Sequence, residues 1–296
     1  MIEKNPSMKR SIQEWWASNP MTYAQEHGRT VYVTQDGTRQ EVELGNKDFF
    51  EAADQTFYTW NRPLHTSKGK FAKIFNYEHY RDKNVLEIGC GMGCMAMNWA
   101  IHQAKVTAVD LNPVAVQQTM RRFQAFGLIG NIIQVDGECL PFNCQSFDYV
   151  YSWGVLHHTP GIRLAINEIY RILRPDGETG IMLYNRNSFL YKYLVQYVEG
   201  YLHIENQFLN SLRLASRYGD GARQEGNPYT WPVTKQEIFK DLCKQFKRVS
   251  IQVFGTDLDS VLDNWFPKFG SRIMPRTMIK SLARRWGWSL WITATK

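Results

Sequence analysis

Apolar residues change their spacing near residue 84, and the change separates regions of different predicted structure. From there on, short apolar runs alternate with segments in which apolar positions recur at helical spacing. The short runs predict strands at 84–88, 105–109, 131–135, 147–151 and 178–184. The segments between them predict helices at 95–102, 113–126 and 163–173. Strands that alternate with helices favour a parallel sheet covered by helices on both faces.

The regions before and after this alternating core follow other patterns. The aromatic-rich first part predicts helices at 11–16, 47–57 and 69–80, and a hairpin of strands 30–34 and 39–44 with its turn at Asp36-Gly37. The last part predicts helices at 189–201, 207–218, 235–246 and 277–286, and strands at 248–254 and 289–295. No linker that would separate a second domain is evident in this last part.

A glycine-rich loop follows the first strand of the alternating core. The segment GCGMG at 89–93 leads from that strand into the helix at 95–102. Glycines let the backbone turn tightly and approach a ligand without an intervening Cβ, and a helix N-terminus offers free N–H groups. Ligands of doubly wound folds bind at the carboxyl ends of the strands. The loop is therefore in a suitable place for a cofactor.

Acidic residues end the next two strands. A carboxylate at Asp110 can accept hydrogen bonds from the ribose hydroxyls of an adenosine, and the turn at 136–138 can meet an adenine edge. The spacing differs from the dinucleotide fingerprint GxGxxG, because Cys94 stands at its last position. Three such elements at successive strand ends indicate a nucleoside-containing cofactor. The alternative is a tight turn followed by an acid that only caps a helix.

The segment 84–187 resembles the class I S-adenosylmethionine-dependent methyltransferases. The motifs that carry the resemblance are VLEIGCGMG, VTAVDLNP, VDGECLPF, FDYVYSWGVLHH and EIYRILRPDGETGIMLYNRNS. They cover about a third of the chain. They are most similar to the branch with LPF after the third strand and VLHH after the fourth, which includes quinone and sterol methyltransferases and bacterial natural-product enzymes.

This resemblance implies the fold class and the domain layout. We expect an α/β fold with a Rossmann-like, doubly wound sheet of seven strands, mostly parallel with an antiparallel last strand. Residues 1–83 would form an N-terminal cap, and residues 84–296 the methyltransferase domain. Helical additions would lie in the cap and after the fifth strand, where the insertion 187–233 would roof the acceptor site.

The resemblance also implies S-adenosylmethionine as the cofactor and assigns roles at the first two strand ends. Gly89, Gly91 and Gly93 would pass beneath the methionine part of the cofactor. Glu87 would orient the loop or contact the cofactor through water. Asp110 would hold the ribose. Two loop positions vary in the family and carry little weight, namely Cys90 and Met92.

The remaining cofactor contacts implied by the resemblance come from three other places. Leu111 would lie against the adenine ring. The adenine amino group would meet the turn after the third strand, which comprises Asp136, Gly137 and Glu138. The methionine part would be lined by the end of the fourth strand, which comprises Ser152, Trp153 and Gly154.

Candidate catalytic groups follow the fourth and fifth strands. Methyl transfer to an oxygen or carbon nucleophile benefits from a general base, and histidine takes up a proton near neutral pH. His157 and His158 are the candidates, with Tyr184 as a further group that could reach the acceptor. The alternative is that the two histidines simply begin the next helix and that Tyr184 is a packing residue.

Candidate acceptor-binding residues come from the first part and from the insertion. Trp60, Arg62 and His65 bring aromatic and basic groups together, and Arg62 or His65 could bind a carboxylate or phosphate. In the insertion, Tyr191 begins a series of tyrosines that continues at 193, 197 and 201. This aromatic stripe could line the pocket of an apolar or aromatic acceptor. Ordinary core packing is the alternative in both places.

The formal net charge of +7 lies in the last third of the chain. Residues 1–83 carry 12 basic and 11 acidic side chains, residues 84–186 carry 7 and 8, and residues 187–296 carry 16 and 9. A basic region suits phosphates, carboxylates, nucleic acid or an anionic membrane, and the alternative is a surface that only keeps the protein soluble. The sequence SWGV stands where amino-methylating nucleic-acid enzymes have an Asn/Asp-Pro-Pro-aromatic motif, which argues against a nucleic-acid acceptor. The charge is therefore a property of the acceptor side.

The predicted helix at 277–286 concentrates this charge. Apolar positions that can share one face are Met278, Ile279, Leu282 and Trp286. Basic positions that lie mostly elsewhere are Arg276, Lys280, Arg284 and Arg285. The pattern suits docking of residues 272–288 at a membrane surface. It equally suits a helix packed on the sheet with a basic exposed face.

The five cysteines form no CxxC pair, which argues against a disulfide framework and a structural zinc site, so no metal is expected. The first residues lack the apolar core of a signal peptide, and no apolar run reaches the roughly 18–20 residues that span a bilayer. We therefore expect a cytoplasmic enzyme of natural-product biosynthesis that methylates a small apolar or aromatic metabolite. The alternatives are a lipid or quinone acceptor and a non-catalytic cofactor-binding module. The intact loop and Asp110 argue against the latter, and the oligomeric state stays open.

Overall fold

Seven strands form one mixed sheet in the computed structural model, which describes residues 6–23, 30–33, 38–219, 226–255 and 275–296. With strands numbered along the chain, the order in this sheet is β5-β4-β3-β6-β7-β9-β8. The pairs β3–β4, β3–β6 and β4–β5 are parallel, whereas β9 runs antiparallel to both β7 and β8. The predicted doubly wound sheet of seven strands with an antiparallel last strand is confirmed.

The strands of this sheet are β3 (Asn84–Ile88), β4 (Lys105–Asp110), β5 (Asn131–Gln134), β6 (Phe147–Trp153), β7 (Leu173–Tyr184), β8 (Lys247–Phe254) and β9 (Ser289–Thr295). The helices are α1 (Pro6–Ser18), α2 (Lys47–Trp60), α3 (Cys94–Ile101), α4 (Pro113–Ala125), α5 (Ile162–Ile172), α6 (Ser211–Tyr218), α7 (Lys235–Glu237) and α8 (Arg276–Trp286). A π-helix spans Leu190–Leu202, and a π-helical turn, Ile238–Leu242, continues α7.

The predicted N-terminal hairpin is present, whereas the predicted helix at 69–80 is wrong. Strands β1 (Val31–Val33) and β2 (Arg39–Glu41) pair antiparallel, and the expected turn at Asp36-Gly37 lies outside the described residues. Residues 69–76 form turns, and only Tyr77–Tyr80 make a short 3₁₀ helix. Phe71 adopts a φ of 57° and buries its ring beside Phe57 and Phe75. Aromatic burial therefore outweighs the helical spacing there.

The chain divides into two compact units. The first unit comprises residues 1–12, 152–170 and 178–296, and the second comprises residues 13–151 and 171–177. In the second unit, Trp99 of α3 is fully buried among the rings of Phe75, Tyr77 and Tyr149. This aromatic core supports the strand β3 and the loop that follows it.

The first unit is built on the antiparallel pairing of β7 with β9. Trp288, just before β9, stacks on Tyr184 with ring centroids 4.3 Å apart and lies in a cluster with Tyr191 and Val195 of the π-helix. The tyrosine stripe of the π-helix is therefore only partly core. Tyr191 is buried, while Tyr197 and Tyr201 stack on each other at an exposed surface.

Helix α8 packs on β8 in the first unit, through a narrower face than the sequence predicts. Ile279 and Ala283, one helical turn apart, are buried. Met278 and Trp286 are 51% and 42% exposed, so only part of the predicted apolar face is buried. The side chain of Arg276 and residues 272–274 of the predicted docking segment lie outside what the structure describes. Within the described residues, no helix combines the length and the apolar character that crossing a membrane requires.

Candidate functional site

The loop Gly89–Gly93 joins β3 to α3 in a conformation that only glycines adopt easily. Gly89, Gly91 and Gly93 have φ angles of 82°, 53° and 74°. The backbone N–H groups of Gly89 and Cys90 both donate to the Val109 carbonyl of β4, at 2.7 and 3.0 Å. The Gly93 N–H donates to the Cys90 carbonyl at 2.8 Å. The loop is therefore a tight turn fixed to the neighbouring strand.

Two of these glycines face different surroundings. A Cβ at Gly93 would lie 2.8 Å from Cγ2 of Thr119, so the absent side chain makes room for α4. A Cβ at Gly91 would have no atom within 4 Å, so this residue faces open space. The Gly91 carbonyl accepts a hydrogen bond from the Thr119 hydroxyl at 3.0 Å. Gly91 therefore exposes its backbone where a ligand can approach it closely.

Asp110 stands beside this open position. Its Oδ2 accepts the Gly91 N–H at 2.9 Å, and its Oδ1 accepts the Asn112 N–H at 2.9 Å. Burial raises the pKa of the Asp110 carboxyl, and the hydrogen bonds from these backbone groups oppose that rise. The Leu111 N–H also contributes a hydrogen bond. Since a carboxylate accepts about four hydrogen bonds, Asp110 keeps capacity for a hydroxyl group of a ligand.

The residues after the second and third strands lie in the same unit. The Leu111 carbonyl accepts hydrogen bonds from the side-chain amides of Gln13 and Gln134. In the next turn, the Glu138 N–H donates to Asp136 Oδ1 at 2.9 Å, and Glu138 is buried. A Cβ at Gly137 would lie 3.0 Å from Cγ2 of Ile88. The structure therefore brings the turn at 136–138 against the end of β3.

Glu87, the last acid before the loop, is 3% exposed. Burial raises the pKa of its carboxyl to about 8; the neighbouring Tyr151 side chain opposes the rise, and the Asp110 carboxylate adds to it. At neutral pH in the absence of a ligand, Glu87 is therefore mostly protonated. A cationic ligand group close by would favour the ionised form.

This raised pKa has a measurable effect on stability. The unfolded chain ionises Glu87 near pH 4.5, whereas the folded chain retains the proton up to about pH 8. The free energy of unfolding should therefore fall as pH rises from about 4.5 to about 8, by roughly 3–5 kcal/mol from this group. Urea unfolding of wild type and Glu87→Gln over this range measures the contribution, since glutamine cannot ionise. Identical pH slopes in the two proteins would contradict the assignment.

The end of β6 belongs to the first unit. Ser152 is fully buried. Trp153 stacks on Phe254 at 6.0 Å between ring centroids and contacts Trp291 at 5.7 Å. Gly154 has a φ of 73°, and its N–H donates to the Met182 carbonyl at 3.4 Å. The Trp153 ring is thus in contact with other aromatic rings of its own unit.

The candidate catalytic residues form one aromatic cluster within the first unit. The ring of His157 lies 3.7 Å from that of Tyr184 and 4.2 Å from that of His158. His158 Nδ1 lies 3.0 Å from both the Tyr229 carbonyl and the Thr230 hydroxyl. His157 is fully buried, and neither of its ring nitrogens has a hydrogen-bond partner among the described residues. Burial, and to a lesser degree His158, hold the pKa of His157 well below its usual range.

The candidate acceptor residues are less tightly grouped. Trp60 is 61% exposed and meets Tyr23 edge-on at 6.0 Å, and Arg62 is exposed. His65 uses both ring nitrogens: Nδ1 accepts the Phe71 N–H at 3.0 Å, and Nε2 lies 2.9 Å from the Tyr58 carbonyl. Burial lowers the pKa of His65.

Tyr191, the remaining acceptor candidate, lies in the first unit with its ring stacked parallel to that of Trp288 at 6.4 Å. No group of three or more His, Cys, Asp or Glu in the described part of the chain could hold a metal ion.

The sequence analysis did not identify the buried polar residues of α2 and α4 that hold the glycine loop in place. Arg122 of α4 donates through Nε to the Met92 carbonyl and through Nη1 to Asp54 of α2. Arg122 and Asp54 are buried, and so are Gln118 and Thr119, which lie on α4 with Arg122. The missed signal is in α4, where polar positions interrupt the apolar stripe at helical spacing. A buried arginine needs a partner, and that partner is distant in sequence.

Comparison with known proteins bears on the middle of the chain. Residues 85–177 match the family described as "Methyltransferase domain". A phthiotriol/phenolphthiotriol dimycocerosates methyltransferase of Mycobacterium leprae is 37% identical over 97 residues, which cover 32% of this chain and 35% of that protein. The sterol 24-C-methyltransferase erg-4 of Neurospora crassa is 29% identical over 160 residues, which cover 49% of this chain and 42% of that protein.

A solved structure of an S-adenosylmethionine-dependent methyltransferase from Methanosarcina mazei has a TM-score of 0.50 at 19% identity. The match covers 74% of this chain and 95% of that one. This likeness supports the Rossmann-like fold. The sequence matches span only about a third of the mycobacterial relative and two fifths of the fungal one.

Proposed function

We propose that this chain, which carries a class I S-adenosylmethionine-dependent methyltransferase domain, transfers the methyl group of that cofactor to an apolar or aromatic small molecule of secondary metabolism. The observation that carries the proposal is the pairing of an open glycine, Gly91, with a hydrogen-bonded carboxylate, Asp110. When bound, S-adenosylmethionine supplies a methyl group on a sulfonium, which an acceptor takes by in-line displacement. The protein's part is alignment, exclusion of water and control of protons.

The residues present fit this cofactor. The space beyond Gly91 admits a ligand against the backbone, and a side chain there would fill it. Asp110 accepts three backbone N–H groups and keeps capacity to accept a ribose hydroxyl. Glu87 is a buried acid whose proton is readily lost beside a cation, and the amino and sulfonium groups of the cofactor are cationic. Leu111 and the turn at 136–138 would contact the adenine.

Ser152, Trp153 and Gly154 would line the methionine part of the cofactor. Residues 1–83 would cover the cofactor, and the insertion 187–233 the acceptor. Trp60, Arg62, His65 and Tyr191 are the acceptor contacts this arrangement suggests. His65 would contribute as a neutral ring, since burial lowers its pKa.

We assign the general base to His157. Its low pKa keeps the ring neutral at pH 7, so a nitrogen is available to accept a proton. His158 and Tyr184 contact its ring and would orient it. His157→Asn should lower kcat and leave the dissociation constant for S-adenosylmethionine unchanged. An unchanged kcat would remove His157 from the mechanism.

Calorimetry tests the central proposal. Wild-type protein should bind S-adenosylmethionine, and incubation with metabolite extract should release S-adenosylhomocysteine together with a methylated product seen by mass spectrometry. Folded protein that binds no S-adenosylmethionine would overturn the proposal. Binding without any product from apolar acceptors would favour a non-catalytic cofactor-binding protein.

A lipid or quinone acceptor is the second candidate, and the exposed face of α8 favours it. Met278 and Trp286 are exposed beside Lys280, Arg284 and Arg285, and the Arg285 guanidinium lies 5.0 Å from the centre of the Trp286 ring. A surface of basic residues with exposed tryptophan and methionine suits the interface of an anionic membrane.

Reversing this charge should weaken membrane binding. Each basic residue near an anionic surface contributes about 1 kcal/mol, so replacing Lys280, Arg284 and Arg285 by Glu should weaken vesicle binding at least tenfold. Co-sedimentation with phosphatidylglycerol vesicles measures this. The matched control replaces three exposed lysines of the same unit, Lys240, Lys244 and Lys247, by Glu, and should bind like wild type. Wild-type protein that does not sediment with vesicles would exclude the docking proposal.

A further inference from the structure

Arg122 is a fully buried arginine with two separate partners in the second unit. Its Nε donates to the Met92 carbonyl in the glycine loop at 2.6 Å, and its Nη1 donates to Asp54 Oδ2 at 2.7 Å. Its guanidinium lies 4.5 Å from the centre of the Phe50 ring. The fork of one side chain therefore links helix α2 to the loop between β3 and α3.

Met92 is tied to the same N-terminal segment by its side chain. It is buried in a hydrophobic cluster that is otherwise made of N-terminal residues, namely Tyr32, Val42, Phe49, Phe50 and Ala53. The carbonyl and the side chain of one loop residue are thus both held by groups that depend on α2. The sequence analysis gave Met92 little weight and did not predict this role.

The hydrogen bond matters because the next residue is a glycine. The peptide plane between Met92 and Gly93 is flanked by a φ of 74° at Gly93, where no Cβ restricts rotation. Arg122 fixes the carbonyl side of this plane, and the Gly93 N–H on its other side donates to the Cys90 carbonyl. With the plane fixed, Gly91 keeps the orientation in which its N–H meets Asp110.

We propose that Asp54 and Arg122 are positioning residues that set the glycine loop in its cofactor-binding conformation, so that the N-terminal segment controls cofactor affinity. The proposal rests on the proposed function in naming S-adenosylmethionine as the ligand. Asp54 acts through Arg122, and Arg122 acts through Met92. Neither residue is assigned a contact with the cofactor.

A double variant separates positioning from stability. Removing one partner of a buried ion pair leaves an uncompensated charge, which destabilises a protein strongly, whereas replacing both by apolar residues of similar volume is often neutral. Asp54→Leu with Arg122→Met should therefore fold with a melting temperature close to that of wild type. Its Met92 carbonyl has nevertheless lost its donor. Arg122→Lys is the second variant, since one ammonium lacks the planar fork that serves both partners.

Hydrogen exchange of the ligand-free proteins is the first measurement. Backbone amides of residues 89–97 should exchange at least tenfold faster in the double variant, with a smaller acceleration in Arg122→Lys. The second measurement is calorimetry, in which the dissociation constant for S-adenosylmethionine should rise at least tenfold. The control, Lys47→Met with Glu51→Gln, removes an exposed ion pair from the same helix and should change neither quantity.

Failure of this proposal differs from failure of the proposed function. Suppose that loop exchange is faster in both variants and that wild type binds no S-adenosylmethionine. The positioning role would then be supported, and the proposed cofactor would be wrong. If wild type binds S-adenosylmethionine and the folded variants match it in affinity and loop exchange, the positioning proposal is overturned. If the double variant does not fold, Arg122→Lys alone decides by the same two readouts.

Discussion

Replacing Asp110 by alanine should weaken the binding of S-adenosylmethionine by about 100-fold or more. A hydrogen bond to a charged group contributes about 1.5–3 kcal/mol, and the carboxylate keeps capacity for one from the ribose. Each 1.4 kcal/mol corresponds to a tenfold change in the dissociation constant. The variant also loses the acceptor for the Gly91 N–H, so the loop itself becomes less ordered. Calorimetry on the folded variant measures the loss.

The control for Asp110 is an acid with no role in the site. Glu78 is exposed and pairs only loosely with Lys68, at 3.7 Å, so Glu78→Ala should bind the cofactor like wild type. The cofactor affinity of Asp110→Asn should lie between those of wild type and Asp110→Ala, because an amide oxygen still accepts one backbone N–H. Wild-type affinity in Asp110→Ala would rule out the ribose role.

Gly91→Ala should reduce cofactor affinity to a similar degree, by about 100-fold, with a loss of stability limited to backbone strain. The new methyl group meets no protein atom within 4 Å, so the folded protein accommodates it. A non-glycine residue at a φ of 53° costs about 1–2 kcal/mol of backbone strain. The methyl group does, however, occupy the space through which the cofactor would approach the backbone. Thermal unfolding and calorimetry together separate the two effects.

Gly127 supplies a matched control for the strain. Its φ is 62°, and a Cβ there also meets no atom within 4 Å, but it follows α4 and lies outside the glycine loop. Gly127→Ala should therefore lose a similar amount of stability and no cofactor affinity. Equal affinity losses in the two variants would show that Gly91 does not face the cofactor.

Periodicity predicts the sheet and most N-terminal elements, but it does not predict the structure of residues 69–80, for a physical reason. Strands such as β3 and β4 are buried on both faces, so their apolar runs report the fold directly. The helix expected at 69–80 fails because Phe71 reaches its buried site only through a left-handed backbone. Likewise, helical spacing alone does not show which apolar positions of α8 are buried: Ile279 is buried, whereas Trp286 is 42% exposed.

The glycine loop is also predictable from the sequence, whereas the residues that hold it in place are not. Glycines and a strand-end acid identify themselves by type and position. The link from Arg122 to Asp54 spans 68 residues, and neither partner stands in a motif. The role of position 92 is hard to predict from the residue type, because it depends partly on a backbone carbonyl, which every residue has.

The antiparallel insertion of β9 between β7 and β8 has a consequence for synthesis of the chain. The edge of β7 acquires its partner only from a strand about 100 residues further on, and β8 pairs with that same late strand. At about 5–20 residues per second, translation leaves the β7 edge open for roughly 5–20 s. An unpaired edge of that kind is a template for aggregation. Cotranslational folding of this protein therefore includes an interval in which the β7 edge has no strand partner on the side that β9 later occupies.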